Sequence, residues 1–180
     1  LPNWLIGVLA LVLILRIPSF FEPYYYGDEM VYLTLGQGIR QGLTLYSQIF
    51  DNKPPLLYFV AAIAGNLFWF KAILAFWSLG TIVAFWKLAK SKSAALIFAL
   101  LTTLPLLEGN TVNAELFLIG LNITAFYILL TKKLTQKNLL LGGILFGLAT
   151  LFKVPAAFDI PAIVIFWLIT KGLKNWKGTL

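Results

Sequence analysis

The sequence has no cysteine and no histidine. The first absence excludes disulfide staples, thiol redox chemistry and cysteine-held zinc. The second excludes histidine-held metal sites and Ser-His-Asp triads. Charge is scarce as well. Only 12% of the 180 residues are charged, against about 25% in a water-soluble domain. What fills the chain instead is apolar: 60% hydrophobic and 16% aromatic residues, with a mean hydropathy of +0.88. A soluble chain of this size cannot hide that much apolar surface, because small domains leave a large share of it exposed. The composition excludes a soluble enzyme, a disordered chain and a disulfide-stapled secreted module. The net charge of +7 suits nucleic acid at first sight. In a membrane protein, however, lysines in short loops mark the cytoplasmic side, and no nucleic-acid partner is expected.

A spanning helix needs about 20 mostly apolar residues. The sequence offers six such runs, at 2–20, 71–88, 93–108, 114–131, 138–153 and 157–171. The expected fold is an all-α, polytopic membrane helix bundle of about six transmembrane helices, forming one domain over 1–180. Residues 1–15 resemble a signal peptide. No small-residue cleavage site follows them, though, and Arg16-Ile17-Pro18 reads as a helix end. The chain starts at Leu1 and closes on a Lys-rich stretch, so it is expected to be the N-terminal portion of a longer protein.

Nine of the twelve lysines fall into three clusters: Lys87, Lys90 and Lys92; Lys132, Lys133 and Lys137; Lys171, Lys174 and Lys177. Two candidate spans separate each cluster from the next, so all three share one side, and the positive-inside rule makes it cytoplasmic. None of the seven acids lies among them. A further apolar run, 56–70, opens after Pro54-Pro55 and contains Gly65-Asn66. Read as an interfacial segment rather than a span, it leaves the N-terminus inside and puts Glu22, Asp28, Glu29 and Asp51 on the outer face with Glu108, Glu115 and Asp159. Residues 21–70 then form a long outer loop with interfacial helices. Loops of that length on a rigid scaffold often carry function.

Four places in this outer region can carry chemistry. Asp28-Glu29 follows Tyr24-Tyr25-Tyr26-Gly27. Adjacent carboxylates beside a membrane are costly unless solvated, paired or metal-bound, although Asp28 also suits the N-cap of a helix over about 29–41. Near a low-dielectric surface, such a carboxyl can have a raised pKa suited to proton abstraction. Asp51-Asn52-Lys53-Pro54-Pro55 offers a lysine to a lipid phosphate, or forms a simple turn with a snorkelling lysine. Glu115 sits near the start of a span, where an acid also favours the helix dipole. Lys153 and Asp159 flank the last outer turn and either pair with each other or face the same cleft. Arg40 and Lys71 are further basic groups near the outer surface.

Asp28-Glu29-x-x-Tyr32, Gly42 and Phe50-Asp51-Asn52-Lys53-Pro54-Pro55-Leu56-Leu57-Tyr58, behind a first hydrophobic helix, resemble the first outer loop of the GT-C superfamily of glycosyltransferases. The likeness is to its family 39-like members, near the protein O-mannosyltransferase and aminoarabinose transferase branch. Asn113-Ala114-Glu115-Leu116-Phe117 and Gly143-x-x-x-Gly147-Leu148-Ala149-x-x-x-Lys153 resemble later segments of that family. The resemblance implies transfer of a sugar, with inversion, from a polyprenyl-phosphate donor to an acceptor hydroxyl at the outer face of the plasma (inner) membrane. The acceptor is a protein, lipid or glycan. It implies Asp28 as catalytic base, Lys53 and the weaker candidate Arg40 at the donor phosphate, and Glu29, Asp51 and Glu115 positioning the acceptor or a metal. If a divalent metal takes part, carboxylate ligands such as Asp28 and Glu115 favour Mg or Mn. Family members are about twice as long, and their second half helps build both sites. These 180 residues alone are therefore expected to be inactive.

A transporter or lipid flippase is the alternative. It would place acids near mid-membrane, whereas these acids lie mostly at one face. A scaffold subunit with solvated acids would make Asp28→Asn silent. Because the chain lacks native cysteine, Asp28→Cys gives a single thiol. It should react with a membrane-impermeant reagent added outside intact cells, and labelling only from the cytoplasm would overturn the assigned orientation.

Overall fold

The computed structural model describes residues 1–24 and 26–171, without the side chain of Lys171. Tyr25, Lys174 and Lys177 lie outside the described residues. Among the described residues there are eight α-helices and no strand: α1 (Asn3–Arg16), α2 (Gly27–Arg40), α3 (Leu56–Ala64), α4 (Leu67–Ala89), α5 (Lys92–Leu101), α6 (Ala114–Thr131), α7 (Gln136–Phe152) and α8 (Asp159–Lys171). The all-α expectation holds.

The starts are written in short polar residues. The side chains of Asn66, Ser91, Asn113 and Thr135 each accept a backbone N–H from the first turn of α4, α5, α6 and α7, satisfying a donor the helix leaves orphaned. The ends are equally local. Gly65 adopts φ 73° and closes α3, a conformation glycine takes without strain.

Of the six expected spans, the structure shows three at full length. Three helices are long and apolar enough to cross a membrane: Asn3–Phe21, which adds a 3-10 turn to α1, Leu67–Ala89 and Ala114–Thr131. The other expected spans are shorter apolar helices of 10–17 residues. The run 93–108 stops at Leu101. There the Thr102 and Thr103 hydroxyls donate back to the carbonyls of Phe98 and Ala99, and Pro105 turns the chain. The run 56–70 also divides differently. Residues 67–70 belong to α4, so the span expected at 71–88 starts earlier. What remains, α3, has nine residues, about 14 Å of helix and far short of a bilayer.

The contacts set the directions of the helices. The Arg16 guanidinium donates to the Thr102 carbonyl at 2.5 Å, joining the ends of α1 and α5. Lys71 at the start of α4 meets Glu22 and Glu29. Lys153 after α7 meets Glu115 at the start of α6. At the other end, Trp4 packs edge-on against Trp86 at 6.1 Å, Lys92 lies over Trp4, and Lys132 lies over Tyr127. Glu22, Asp28, Glu29, Asp51, Glu108 and Glu115 thus gather at one end, and Lys87, Lys90, Lys92 and Lys132 at the other. The α2–α3 pair caps the acidic end.

Three apolar clusters hold the bundle. Leu5, Val12, Ile82 and Ala99 join α1, α4 and α5. Ala125, Leu129, Phe146, Ile163 and Trp167 join α6, α7 and α8. The largest, with Tyr32, Tyr58, Phe70, Leu74, Phe117 and Phe152, seats α2 and α3 on α4, α6 and α7. It depends on close approach at Gly36, where an added Cβ would stand 2.7 Å from the Ala62 nitrogen. Gly36→Ala should therefore destabilise the protein by about 1–3 kcal/mol through overpacking, despite the better helix propensity of alanine. Gly143→Ala, whose Cβ meets nothing within 4 Å, should be neutral or stabilising. Thermal unfolding in detergent separates the two.

Candidate active site

The site grows from the first turn of α2. Asp28 and Glu29 both lie in it, where acids favour the positive helix end. Consecutive helical residues point about 100° apart, so the two carboxylates part company. Glu29 turns inward and is 2% exposed. Asp28 turns outward, with half its side chain in solvent.

Glu29 serves the architecture. It accepts the Val112 backbone N–H at 2.6 Å, just before α6. It also lies 3.5 Å from Lys71, which is 2% exposed and donates to Glu22 at 2.6 Å. Burial raises the Glu29 carboxyl above its ordinary range, opposed by the Val112 N–H and by Lys71. The contacts of Glu29, expected to position an acceptor or a metal, are with the protein's own backbone and Lys71.

Asp28 does not cap its helix as expected; Tyr26 holds the N-cap position and makes no side-chain capping bond. The Asp28 carboxylate is engaged elsewhere. The Lys53 ammonium donates to it at 2.9 Å and to the Tyr32 hydroxyl at 3.0 Å, and Tyr32 donates to the same Asp28 oxygen at 3.2 Å. Tyr32 lies one turn beyond Asp28, the spacing that stacks side chains on one helix face. Lys53 also lies over the Tyr32 ring, 4.8 Å from its centroid.

The chemistry of the trio follows. The Lys53 hydrogen bond holds the Asp28 carboxyl below its ordinary range, outweighing some burial. This corrects the expectation of a raised pKa: the nearby ammonium favours the carboxylate more than the apolar surroundings disfavour it. Burial works against the Lys53 charge, but Tyr32 and Asp28 outweigh it and hold the ammonium above its ordinary range. Burial raises the Tyr32 hydroxyl, keeping it a donor.

Neighbouring groups complete the site. Tyr46 takes φ 68° and its hydroxyl donates to the Lys53 carbonyl at 2.7 Å, fixing the lysine's backbone. Asp51 accepts from the Tyr58 hydroxyl at 2.8 Å and from the Asn52 N–H at 2.7 Å, so it braces the turn before α3. Glu115 pairs with Lys153, and Lys153 acts on Asp28 through space. Tyr26 donates to Glu108 at 3.2 Å and feels the charges of Asp28 and Glu115. Lys153 and Asp159 do not meet each other. Asp159 instead accepts from the Asn122 side chain, about two turns into α6.

The structure does not bring Arg40 to this cluster. It ends α2, about 18 Å along the axis from Asp28, with its guanidinium against Gly65. Among the described residues, no three acids converge as metal ligands. Asp28 and Glu115, the pair offered to a cation, each already hold a lysine ammonium. Mg or Mn at that pair would take the place of both ammonium groups. The contact of Tyr26 with Glu108 and the meeting of Glu22 and Glu29 on the buried Lys71 escaped the sequence reading. Lys71 and Glu22 are 49 positions apart, and Tyr26 and Glu108 are 82 apart, beyond any local pattern.

Compared with protein-family models, curated proteins and solved structures, the chain matches none.

Lys71→Met leaves Glu22 and Glu29 without their cation and should cost about 3–5 kcal/mol, the penalty for breaking a buried pair from one side. Glu29→Gln keeps an acceptor for Val112 and should be milder. A raised folded pKa means the Glu29 contribution is complete below the ordinary value of 4.5 and fades as pH rises through the folded one. Glu29→Gln should remove that dependence, read as melting temperature against pH.

Proposed function

We infer that the acidic end is the catalytic face of a membrane glycosyltransferase that moves a sugar, with inversion, from a polyprenyl-phosphate donor to an acceptor hydroxyl. The observation that carries this reading is the Asp28–Tyr32–Lys53 trio, in which a carboxylate and an ammonium, both partly in solvent, lie side by side over the buried tyrosine at the end opposite Lys87, Lys90 and Lys132. In this reading the shorter α7 and α8, and α5 with its following turn, also cross the membrane, giving six spans. The trio then faces outward from the plasma membrane, and the N-terminus is cytoplasmic.

The trio suits the reaction. Asp28 accepts the proton of the acceptor hydroxyl, whose oxygen attacks the anomeric carbon. The bond from that carbon to the donor phosphate breaks, and polyprenyl phosphate leaves with the electron pair. Lys53 neutralises the charge growing on that phosphate. An exposed ion pair is worth about 0–1 kcal/mol, so a phosphate can draw Lys53 away cheaply. As it does, Asp28 loses the hydrogen bond that holds its pKa down and becomes a stronger base when the donor is bound. Glu115 with Lys153, and Tyr26 with Glu108, border the acceptor side. Arg40 has no role in this scheme.

A transporter would need acids along a path between the two ends. Six of the seven sit at one end, which favours the transferase.

Transfer from a radiolabelled polyprenyl-phosphate sugar by the full-length protein tests the reading. Asp28→Asn should lower turnover by about 10²–10⁴-fold, the usual worth of a general base. The acid limb of kcat should lie at higher pH than that of kcat/KM, since Asp28 is released from Lys53 only in the donor complex. Normal transfer by Asp28→Asn would remove Asp28 from the mechanism.

A further inference from the structure

The opposite end holds a second kind of site. A cleft of about 470 Å³ opens between the C-terminal ends of α4 and α6, lined by Trp86, Lys87, Lys90, Tyr127, Thr131 and Lys132. Three ammonium groups from two separate turns converge on it, and none of the seven carboxylates lines it. Lys132 also borders an adjoining cleft of about 370 Å³, whose other walls are Lys133 and the apolar Leu129, Leu130, Leu134, Phe166 and Trp167. A cationic, hydroxyl-bearing recess thus shares Lys132 with a neighbour in which leucine and aromatic side chains lie beside Lys133.

Three details point to what fills it. Like charges gathered without a carboxylate repel, so the recess is complementary to an anion. Lys90 adopts φ 52° at the end of α4, where glycine would sit without strain; the residue there instead keeps a cation at the rim. Trp4, Trp86 and Tyr127 form an aromatic layer at this level, the kind of layer found at headgroup depth. A ligand with a phosphate beside acyl chains matches both recesses, whereas a free phosphate would use only the first.

We propose that the lysine end carries a binding site for an anionic phospholipid. Lys87, Lys90 and Lys132 hold the phosphate, Thr131 and Tyr127 offer hydroxyls to the headgroup, and the acyl chains lie toward Leu130, Leu134 and Phe166. The site is independent of the transferase reading, since none of its residues belongs to the acidic end.

Native mass spectrometry of the full chain in detergent tests this with phosphatidylglycerol and phosphatidylcholine of matched chains. The wild type should retain phosphatidylglycerol at least about tenfold better. The triple variant Lys87→Gln/Lys90→Gln/Lys132→Gln should lose that preference, each lysine contributing about fivefold. If the triple variant fails to fold, the three single variants carry the same test. Lys92→Gln/Lys137→Gln lies outside both clefts and should keep the preference. Equal retention of the two lipids would overturn the proposal, as would an equal loss in the control variant, which indicates a diffuse field. Inorganic phosphate displacing the lipid at equal concentration would overturn the lipid assignment.

Discussion

Lys71 is the point on which the acidic end depends. An ammonium this deeply buried is tolerable only where carboxylates meet it, and two do: Glu22 from the segment after α1, and Glu29 from α2. Glu29 then reaches on to the Val112 N–H before α6. One cation therefore joins four parts of the chain: the exit of α1, α2, the start of α4 and the approach to α6. With Glu29 turned inward to do this, helical geometry obliges its neighbour Asp28 to face another way. The exposure of the proposed base is a consequence of the burial beside it.

The lysine–carboxylate contacts at this end divide by environment. The Glu22–Lys71–Glu29 triad is centred on a buried cation, and its integrity is a matter of folding. The Asp28–Lys53 and Glu115–Lys153 pairs are about half in solvent, where an ion pair contributes little to stability. Weak pairs are the ones that a substrate can enter, because separating them leaves neither partner stranded in an apolar interior. Tyr32, buried beneath Asp28 and Lys53, hydrogen-bonds to both and keeps them aligned.

The two ends of the bundle are chemically opposite. At one, carboxylates, tyrosines and a few paired lysines surround the capping helices α2 and α3. At the other, lysines with no carboxylate partner among the described residues stand over an aromatic layer. The helices between them are nearly free of charge, so the molecule is polar along its axis. On the readings proposed above, a phosphate would meet a single shared lysine at the acidic end and several lysines at the basic one.

Hydropathy and charge pattern are local properties, and what rests on them was legible without coordinates: the apolar helices, the separation of acids from lysine clusters, and Asp28 and Lys53 as charged groups to single out. Local breaks were harder to place. Thr102, Thr103 and Pro105 shorten one apolar run, and Asn66 starts α4 four residues before the hydropathy rise suggests. Tertiary structure alone decided the pairings. Lys53 reaches Asp28 across 25 positions and Lys71 reaches Glu22 across 49. It also lowered the Asp28 pKa where burial by itself would raise it, and left Arg40 at the far end of α2. The physical reason is the same in each case. A side chain's partner depends on the rotation and packing of whole helices, and the sign of a pKa shift depends on that partner.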